Sequence, residues 1–335
     1  MIGPERSVQL LRQWLDGEPI KFTKYLVLSG FSLEPNAQLK FPHSQELTVQ
    51  SLPQNQSGLH AIDAPEMWVG HRGLSDFPPL GSPDISGSPA LVMHVTSGPA
   101  FYAHASSQYA TELLLDGAPL DRATFGAYRS GVDSPFRCGL SLYCESPVAA
   151  SCTWGHISLE SKSFVPHSRL HGFQTVLYGG AGHAQNPPIL TEEKLHGACM
   201  LIKQIADNGL GERTKVALGR WIQSMDRGML DGFIDLRIAL ESLYASDGGA
   251  EVTYRAASRC ARHLATGMSN RKQLFDQVRK FYNAASGVVH GGAIPDTPKN
   301  RKQLVFGRSI CRKAILKIIQ ENGGQDLEPH VLSFQ

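Results

Sequence analysis

The sequence predicts an α+β fold in which an N-terminal β-rich module, sandwich- or barrel-like, precedes an all-helical bundle. Three observations support this prediction. The chain has 335 residues, a length typical of about two domains. Short β-type segments separated by turn formers occupy residues 20–180, whereas from Thr191 onward apolar residues repeat with the period of a helix. We therefore divide the chain into a β-rich module, residues 1–187, and a helical bundle, residues 188–335.

The β-rich module is predicted from five short segments rich in β-branched and aromatic residues, several of which alternate apolar and polar positions. Clusters of Gly, Pro, Ser and Asp, such as residues 81–89, separate them. The segments are Lys24–Ser29, Leu47–Leu52, Leu91–Thr96, Gly139–Tyr143 and His156–Glu160. A series of short strands with turn signals between them is typical of a sandwich or barrel.

The helical half follows an irregular segment at residues 178–188 that contains several Gly and Pro. Thr191 is predicted to cap the first helix, because a hydroxyl side chain followed by two acidic residues is a typical helix N-terminus. Helices are then expected at about 212–226, 229–246, 251–267, 270–287 and 300–321. This pattern predicts a bundle of five or six helices.

Composition places the protein in the cytoplasm. No apolar stretch approaches the ~18 residues of a membrane span, and residues 1–17 contain four charged side chains instead of an apolar signal-peptide core. Six cysteines, none in a Cys-x-x-Cys pair, are too few for a disulfide framework in a chain of this size. We therefore expect a cytoplasmic protein with reduced thiols.

Charge is divided unevenly between the two halves. Residues 1–190 contain 11 Lys+Arg against 15 Asp+Glu, and residues 191–335 contain 21 against 15, so the net charges are −4 and +6. A positively charged half is compatible with binding to a polyanion, although solvated basic residues on helix faces give the same count. The asymmetry alone leaves both interpretations open.

Several common types of catalytic centre are not supported by the sequence. No Gly-rich loop of the P-loop or dinucleotide-binding type joins a strand to a helix, and Gly-x-Ser-x-Gly is absent. Cys138, Cys144, Cys152 and His156 are chemically suitable zinc ligands, but their spacing fits no common zinc motif. We therefore expect neither a metal ion nor a cofactor.

The most informative segment is Phe281–Gly292, at the end of the predicted helix 270–287. It contains an aromatic pair, a polar residue, His290 and two glycines, in the order FYNAASGVVHGG. Taken alone, a histidine followed by glycine is a common helix ending, because a cationic side chain favours the negative end of the helix dipole and glycine adopts the left-handed cap. A functional interpretation therefore depends on the sequence around this segment.

Residues 229–291 resemble the Apea-like branch of the HEPN superfamily. Three blocks carry the resemblance, in the family's order and with similar spacing. They are Phe233–Tyr244, then Thr253–Arg255 leading to Arg259 and Ala261, then Phe281–Tyr282 leading to Ser286 and Val288–Gly291. The strong resemblance covers roughly a fifth of the chain, and the N-terminal 190 residues do not share it.

The resemblance implies a small helical bundle, usually dimeric, that cleaves RNA without a metal ion. The family motif is an arginine, a polar residue, a few variable positions and a histidine, so Ser286 matches the polar position and His290 the histidine. In such chemistry the ribose 2′-hydroxyl attacks phosphorus, an imidazole moves the protons and a guanidinium holds the developing charge. The implied activity is that of a toxin-like endoribonuclease of antiphage defence, which leaves 2′,3′-cyclic phosphate ends on tRNA or mRNA.

Ala285 occupies the arginine position of the motif and has neither charge nor hydrogen-bond donor. Losing a charge-assisted contact to a transition-state phosphate typically costs several kcal/mol, so this chain is expected to be nearly inactive. Two explanations remain open. One is a naturally silent HEPN module that binds or scaffolds nucleic acid; the other is an arginine-to-alanine change that allows a toxic nuclease to be expressed. The otherwise intact motif favours the second.

Two further residues in the matching blocks are candidate site residues. Glu241 falls on an acidic family position within an otherwise apolar helix, where it either forms a structural salt bridge, with Arg255 or Arg259, or orients the site. Tyr282 lies one turn before Ser286, where it is either a core residue or a hydroxyl facing the phosphate.

Helix geometry also predicts how the protein assembles. Positions 285 and 290 are five residues apart, so on an unbroken helix their side chains would diverge by about 140°. Either the helix breaks at Gly287 or at Gly291–Gly292, or the site is shared between two protomers. We expect a homodimer through the helical half, with the two His290 side chains facing one positively charged cleft.

The N-terminal module has no assigned site in this interpretation. It would sense a signal or restrain the nuclease, and a protein or guide-RNA regulator is compatible with the sequence. A third alternative is a ligand-binding β-module whose helices only dimerise, but it leaves the +6 charge of the helical half unexplained.

Overall fold

The computed structural model describes residues 20–35, 37–40, 47–52, 88–97, 135–157, 174–175, 187–247, 251–289 and 294–328, together with residues 5, 8, 9, 12 and 16. The chain divides into two compact units. The first comprises Met1–Gly131 and Val148–Leu195, and the second comprises Val132–Pro147 and His196–Gln335.

The first unit contains a six-stranded sheet in which every neighbouring pair is antiparallel, with the strand order β3-β4-β5-β1-β6-β7. A short parallel pair, β2 with β8, forms a second sheet. The strands are β1 (Ile20–Ser29), β2 (Ser32–Leu33), β3 (Gln38–Lys40), β4 (Leu47–Ser51), β5 (Pro89–Ser97), β6 (Ala149–Ile157), β7 (Gln174–Thr175) and β8 (Ile189–Leu190).

Strand β1 organises the six-stranded sheet by pairing on both sides. Tyr25 lies opposite Val92 on β5 and Trp154 on β6, and the register with β6 shifts between Val27 and Leu28, as at a β-bulge. Strands occur where the sequence predicts them at 24–29, 47–52 and 91–96, and the segment predicted at 156–160 overlaps the end of β6. The sandwich- or barrel-like form of the module stays a prediction, since residues 53–87, 98–134 and 158–173 lie outside the described residues.

Seven helices account for most of the described residues. They are α1 (Pro135–Cys144), α2 (Glu192–Asn208), α3 (Glu212–Asp226), α4 (Met229–Tyr244), α5 (Val252–Leu264), α6 (Met268–Val289) and α7 (Pro298–Asn322). Thr191 caps α2 as predicted, because its hydroxyl accepts a hydrogen bond from the Lys194 amide at 3.3 Å. The helices of the second unit share one core, whose large members include Trp221, Phe233 and Phe281.

The strand predicted at Gly139–Tyr143 is wrong, because these residues belong to helix α1. A run of five residues is too short to show its period, so it looks alike as a buried strand or as a buried helix, and nearly every residue of this helix is buried. Pro135 starts the helix, where its missing N–H costs nothing. Gly139 allows close packing on α2, since a Cβ there would lie 2.5 Å from Cγ1 of Ile202.

The segment after α7 is fixed to the start of α3 by Asp326. Gly211 occupies the N-cap position before helix α3 and has no side chain to cap it. The Asp326 carboxylate accepts hydrogen bonds from the Thr214 amide at 2.9 Å, the Arg213 amide at 3.1 Å and the Thr214 hydroxyl at 3.1 Å. A residue 112 positions away in the chain therefore does the work of an N-cap.

Candidate functional site

Four of the residues singled out by the sequence, Glu241, Tyr282, Ala285 and Ser286, lie on two helices packed side by side. Phe233 on α4 stacks on Phe281 of α6, with ring centroids 5.4 Å apart and 16° between the ring planes. Glu241 lies two turns beyond Phe233 on α4, and Ala285 lies one turn beyond Phe281 on α6. This packing brings the first and third of the matching sequence blocks together.

Arg237, Glu241 and Tyr282 form a polar cluster between these helices. The Arg237 Nε donates to Glu241 Oε1 at 2.7 Å, and the Arg237 guanidinium carbon lies 5.8 Å from the centre of the Tyr282 ring. Tyr282 is fully buried. Its hydroxyl and the Arg237 Nη1 are both buried without a hydrogen-bond partner among the described residues. The cluster thus presents two donors that lack an acceptor, which is uncommon in a folded interior.

The Tyr282 hydroxyl stays protonated at neutral pH. Burial raises the pKa of Tyr282 well above its usual value and the Glu241 carboxylate raises it further, while the Arg237 guanidinium lowers it. A phenol in this environment donates a hydrogen bond and does not act as a base. The sequence left Tyr282 as either core or site residue; it is a core residue by burial, and its hydroxyl remains available as a donor.

Ala285 packs in the core of the second unit with 0% exposure. Ser286, the next residue, is half-buried, and it is the residue that the resemblance assigns to the polar position. An alanine at position 285 offers no hydrogen-bond donor, so the described part of the motif contains no cation in place of the family arginine. Arg237, on the neighbouring helix, places its guanidinium carbon 5.8 Å from the centre of the Tyr282 ring, one turn before Ser286.

His290 lies outside the described residues. Helix α6 nevertheless continues to Val289, so the predicted break at Gly287 is wrong. A Cβ at Gly287 would meet no atom within 4 Å, which means that packing does not require glycine there. The alternative break at Gly291–Gly292 also falls outside the described residues.

The expected ion-pair partners of Glu241 are wrong. Glu241 pairs with Arg237, whereas Arg255 and Arg259 both pair with Asp247. Arg259 binds Asp247 through two hydrogen bonds of 2.9 Å each and also donates to the Tyr244 carbonyl at 2.8 Å. These bonds from Arg259 lower the pKa of Asp247 to about 2, with Arg255 adding to the effect.

Arg237 is the cluster residue that sequence reasoning missed. The sequence does contain a pattern that predicts its ion pair, because Arg237 and Glu241 are four residues apart and side chains at this spacing on a helix are neighbours. The contact with Tyr282 has no such signal, since the two residues are 45 positions apart and meet only through the packing of α4 on α6.

A second buried polar pair lies on other elements of the helical unit. The Tyr244 hydroxyl lies 2.7 Å from Nδ1 of His263, and Lys317 donates to the His263 carbonyl at 2.7 Å. Burial lowers the pKa of His263 to about 4; Lys317 lowers it and Glu321 raises it. Because His263 is neutral at pH 7, the phenol can donate to its unprotonated nitrogen.

The described cysteines are buried. They are Cys138, Cys144, Cys199, Cys260 and Cys311. Burial raises the pKa of Cys199 and of Cys260 to about 12, so both thiols stay protonated at neutral pH.

Among the described residues, no group of three or more His, Cys, Asp or Glu is arranged to hold a metal ion. Of the four zinc candidates weighed from the sequence, Cys138 and Cys144 lie on α1, and Cys152 and His156 lie on β6. None of the helices that the structure describes is long and apolar enough to cross a membrane.

Comparisons with known proteins identify no relative. No protein-family model, curated protein or solved structure matches this chain.

Proposed function

We propose that the native form of this protein is a HEPN-type, metal-independent endoribonuclease, a toxin-like effector of antiphage defence, and that the chain with Ala285 is inactive. The observation that supports this proposal best is the polar cluster between α4 and α6. The two helices that carry the outer blocks of the family resemblance pack against each other. Two buried donors between them, Tyr282 Oη and Arg237 Nη1, have no acceptor in the part of the chain that the structure describes.

The proposed reaction needs two kinds of group at the phosphate. The 2′-oxygen forms a bond to phosphorus and the 5′-oxygen leaves, which gives a 2′,3′-cyclic phosphate and a 5′-hydroxyl. His290 of the two protomers removes the proton from the nucleophile and returns one to the leaving oxygen. An arginine at position 285 neutralises the added charge on phosphorus; Ser286 donates to a phosphate oxygen, and Glu241 holds Arg237 in place beside Tyr282.

Restoring the arginine tests this proposal. We expect Ala285→Arg to raise the rate of tRNA or mRNA cleavage at least about a hundredfold, the size of effect typical of one transition-state contact. Products should end in 2′,3′-cyclic phosphate, and EDTA should not change the rate. Ala285→Leu is the control for size without charge, and Ala285→Arg/His290→Ala is the control for the histidine. A folded Ala285→Arg protein that cleaves no RNA contradicts the nuclease.

The burial of Ala285 favours a second candidate function, a catalytically silent HEPN module that binds nucleic acid or serves as a scaffold. A side chain with 0% exposure packs well as alanine, whereas an arginine there must extend past the core to reach solvent. Codon 285 of the natural gene distinguishes the two candidates without any folding assay. Arginine supports the nuclease and alanine supports the silent module.

A further inference from the structure

The positive charge of the helical half is concentrated on part of it. Residues 252–289, which form α5 and α6, contain seven Lys+Arg and one acidic residue, Asp276. Residues 191–251, which form α2 to α4, contain seven Lys+Arg against ten Asp+Glu. Arg255 and Arg259 of this hairpin pair with Asp247, yet with that carboxylate counted α5 and α6 still carry a net charge of about +5. Charge complementarity therefore favours a polyanion as the partner of the hairpin.

An exposed aromatic residue stands within this basic hairpin. Tyr254 on α5 is 57% exposed, so a face of its ring is open to a ligand. Its ring meets Phe275 of α6 edge to face, with centroids 5.5 Å apart and 72° between the planes. The Arg279 guanidinium lies over the Phe275 ring at 5.7 Å. Phe275 thus contacts both the exposed Tyr254 ring and the exposed Arg279 guanidinium and fixes their positions relative to each other.

Helix spacing connects this group with the motif. Phe275 and Ser286 are 11 residues apart on α6, which is close to three full turns, so both lie on the same side of the helix about 16 Å apart. Arg279 lies between them and is rotated from Phe275 by about 40°. Consistently, Phe275 and Ser286 are half-buried and Arg279 is exposed, as expected for a row along the edge of the buried face.

We propose that Tyr254, Phe275 and Arg279 form a binding surface for single-stranded RNA, which leads the strand along α6 to Ser286. This inference rests on the proposed function for the identity of the polymer. An unpaired base stacks on the exposed Tyr254 ring, and Arg279 contacts a neighbouring phosphate. Single strands fit this arrangement because their bases are free to leave the stack, whereas a duplex keeps its base faces covered.

The test measures RNA binding by the chain as it stands, with Ala285 in place, so that no cleavage interferes. A fluorescein-labelled oligouridylate is titrated with protein, and its anisotropy is followed at several salt concentrations. Tyr254→Ala should weaken binding roughly tenfold, because one base stack is typically worth ~1–3 kcal/mol. Tyr254→Phe should bind like the parent. Arg279→Ala should reduce the slope of the logarithm of the association constant against the logarithm of the salt concentration by roughly 0.7, the value for one phosphate contact on a single strand.

Met200→Ala and Lys194→Ala on α2 are the matched controls, since both residues are exposed and lie outside the basic hairpin. Neither should change binding. The proposal is overturned if the parent binds no oligouridylate, if Tyr254→Ala binds as tightly as Met200→Ala, or if duplex RNA binds better than the single strand. The cleavage assay tests the nuclease independently. If RNA binding depends on Tyr254 but Ala285→Arg cleaves no RNA, the binding surface is supported and the nuclease is not. If Ala285→Arg cleaves RNA but binding does not depend on Tyr254, the nuclease is supported and the binding surface is not.

Discussion

His263 is a buried histidine that makes the protein less stable in mild acid. Its pKa is lowered to about 4 by burial and Lys317, against 6.5 for an ordinary histidine. Between these pH values the unfolded chain binds a proton that the folded chain does not. The free energy of unfolding therefore has its full value with respect to His263 above pH 6.5 and falls as the pH drops toward 4. The total decrease in the free energy of unfolding is up to about 3 kcal/mol.

Urea unfolding between pH 7 and pH 4 measures this dependence. We expect the free energy of unfolding to fall over this range in the parent, and the slope to be smaller in His263→Gln, which cannot gain a proton. His196→Gln is the matched control, because His196 is exposed on α2, and it should keep the parent slope. An unchanged slope in His263→Gln would refute the prediction. The Asp247 carboxylate, with a pKa of about 2, adds a separate loss at more acidic pH.

For the candidate site, the sequence predicts which residues belong to it but not which side chains contact one another. The sequence identifies Glu241 and Tyr282 as candidates because both lie in blocks that resemble a family. It assigns the wrong partners to Glu241, because a salt bridge depends on which helix faces touch, and residue types do not reveal this. The Arg237 contact with the Tyr282 ring is likewise a product of packing, 45 residues apart in the chain.

At the scale of elements, Asp326 is expected to stabilise helix α3 as a distant N-cap. Asp326→Ala should lower the free energy of unfolding by about 1–2 kcal/mol, the usual cost of losing a capping side chain. Partial burial acts to raise the pKa of Asp326, but the hydrogen bonds from Thr214 and Arg213 prevail and lower it. The carboxylate therefore stays charged at the positive end of α3 at neutral pH.

Chemical denaturation of two further variants separates this cap from a general surface effect. Gly211→Ala should reproduce much of the loss, because a Cβ there would lie 2.3 Å from the Asp326 carboxylate oxygen and displace it. Glu328→Ala, which removes an exposed carboxylate 3.9 Å from Arg213, should cost well under 1 kcal/mol. Equal effects of Asp326→Ala and Glu328→Ala would show that Asp326 is no cap.

Among the elements, the amphipathic helices are the ones that sequence predicts well. Helix α3 has the predicted bounds, and the Thr191 cap is confirmed, because each has a local signal that tertiary contacts do not override. Residues 139–143 form a helix where the sequence predicts a strand, because a run of five residues is too short to show its period. The Asp326 cap has no local signal at all, since its two parts are 112 residues apart.

For the whole molecule, we expect a homodimer formed through the helical unit. Helix α6 has no break at Gly287, so positions 285 and 290 can serve one phosphate only if the chain turns after Val289 or if a second protomer supplies one of them. Light scattering should therefore give twice the 36.5 kDa of one chain, both for this protein and for Ala285→Arg. A strict monomer in both would exclude the shared site.

Helix α1 has a consequence for the order in which the chain folds during synthesis. It belongs to the second unit, although the 48 residues Val148–Leu195 of the first unit separate it from the rest of that unit. Cys138 and Leu142 lie in the common core, and the Leu142 carbonyl accepts a hydrogen bond from Arg312 on α7. In a nascent chain this apolar segment can therefore pack on α2 only after strands β6 to β8 have been made, and its contact with α7 forms last, 170 residues after Leu142 is synthesised. Because this long-range contact completes the helical unit, we expect α1 to depend on chaperones more than any later helix does.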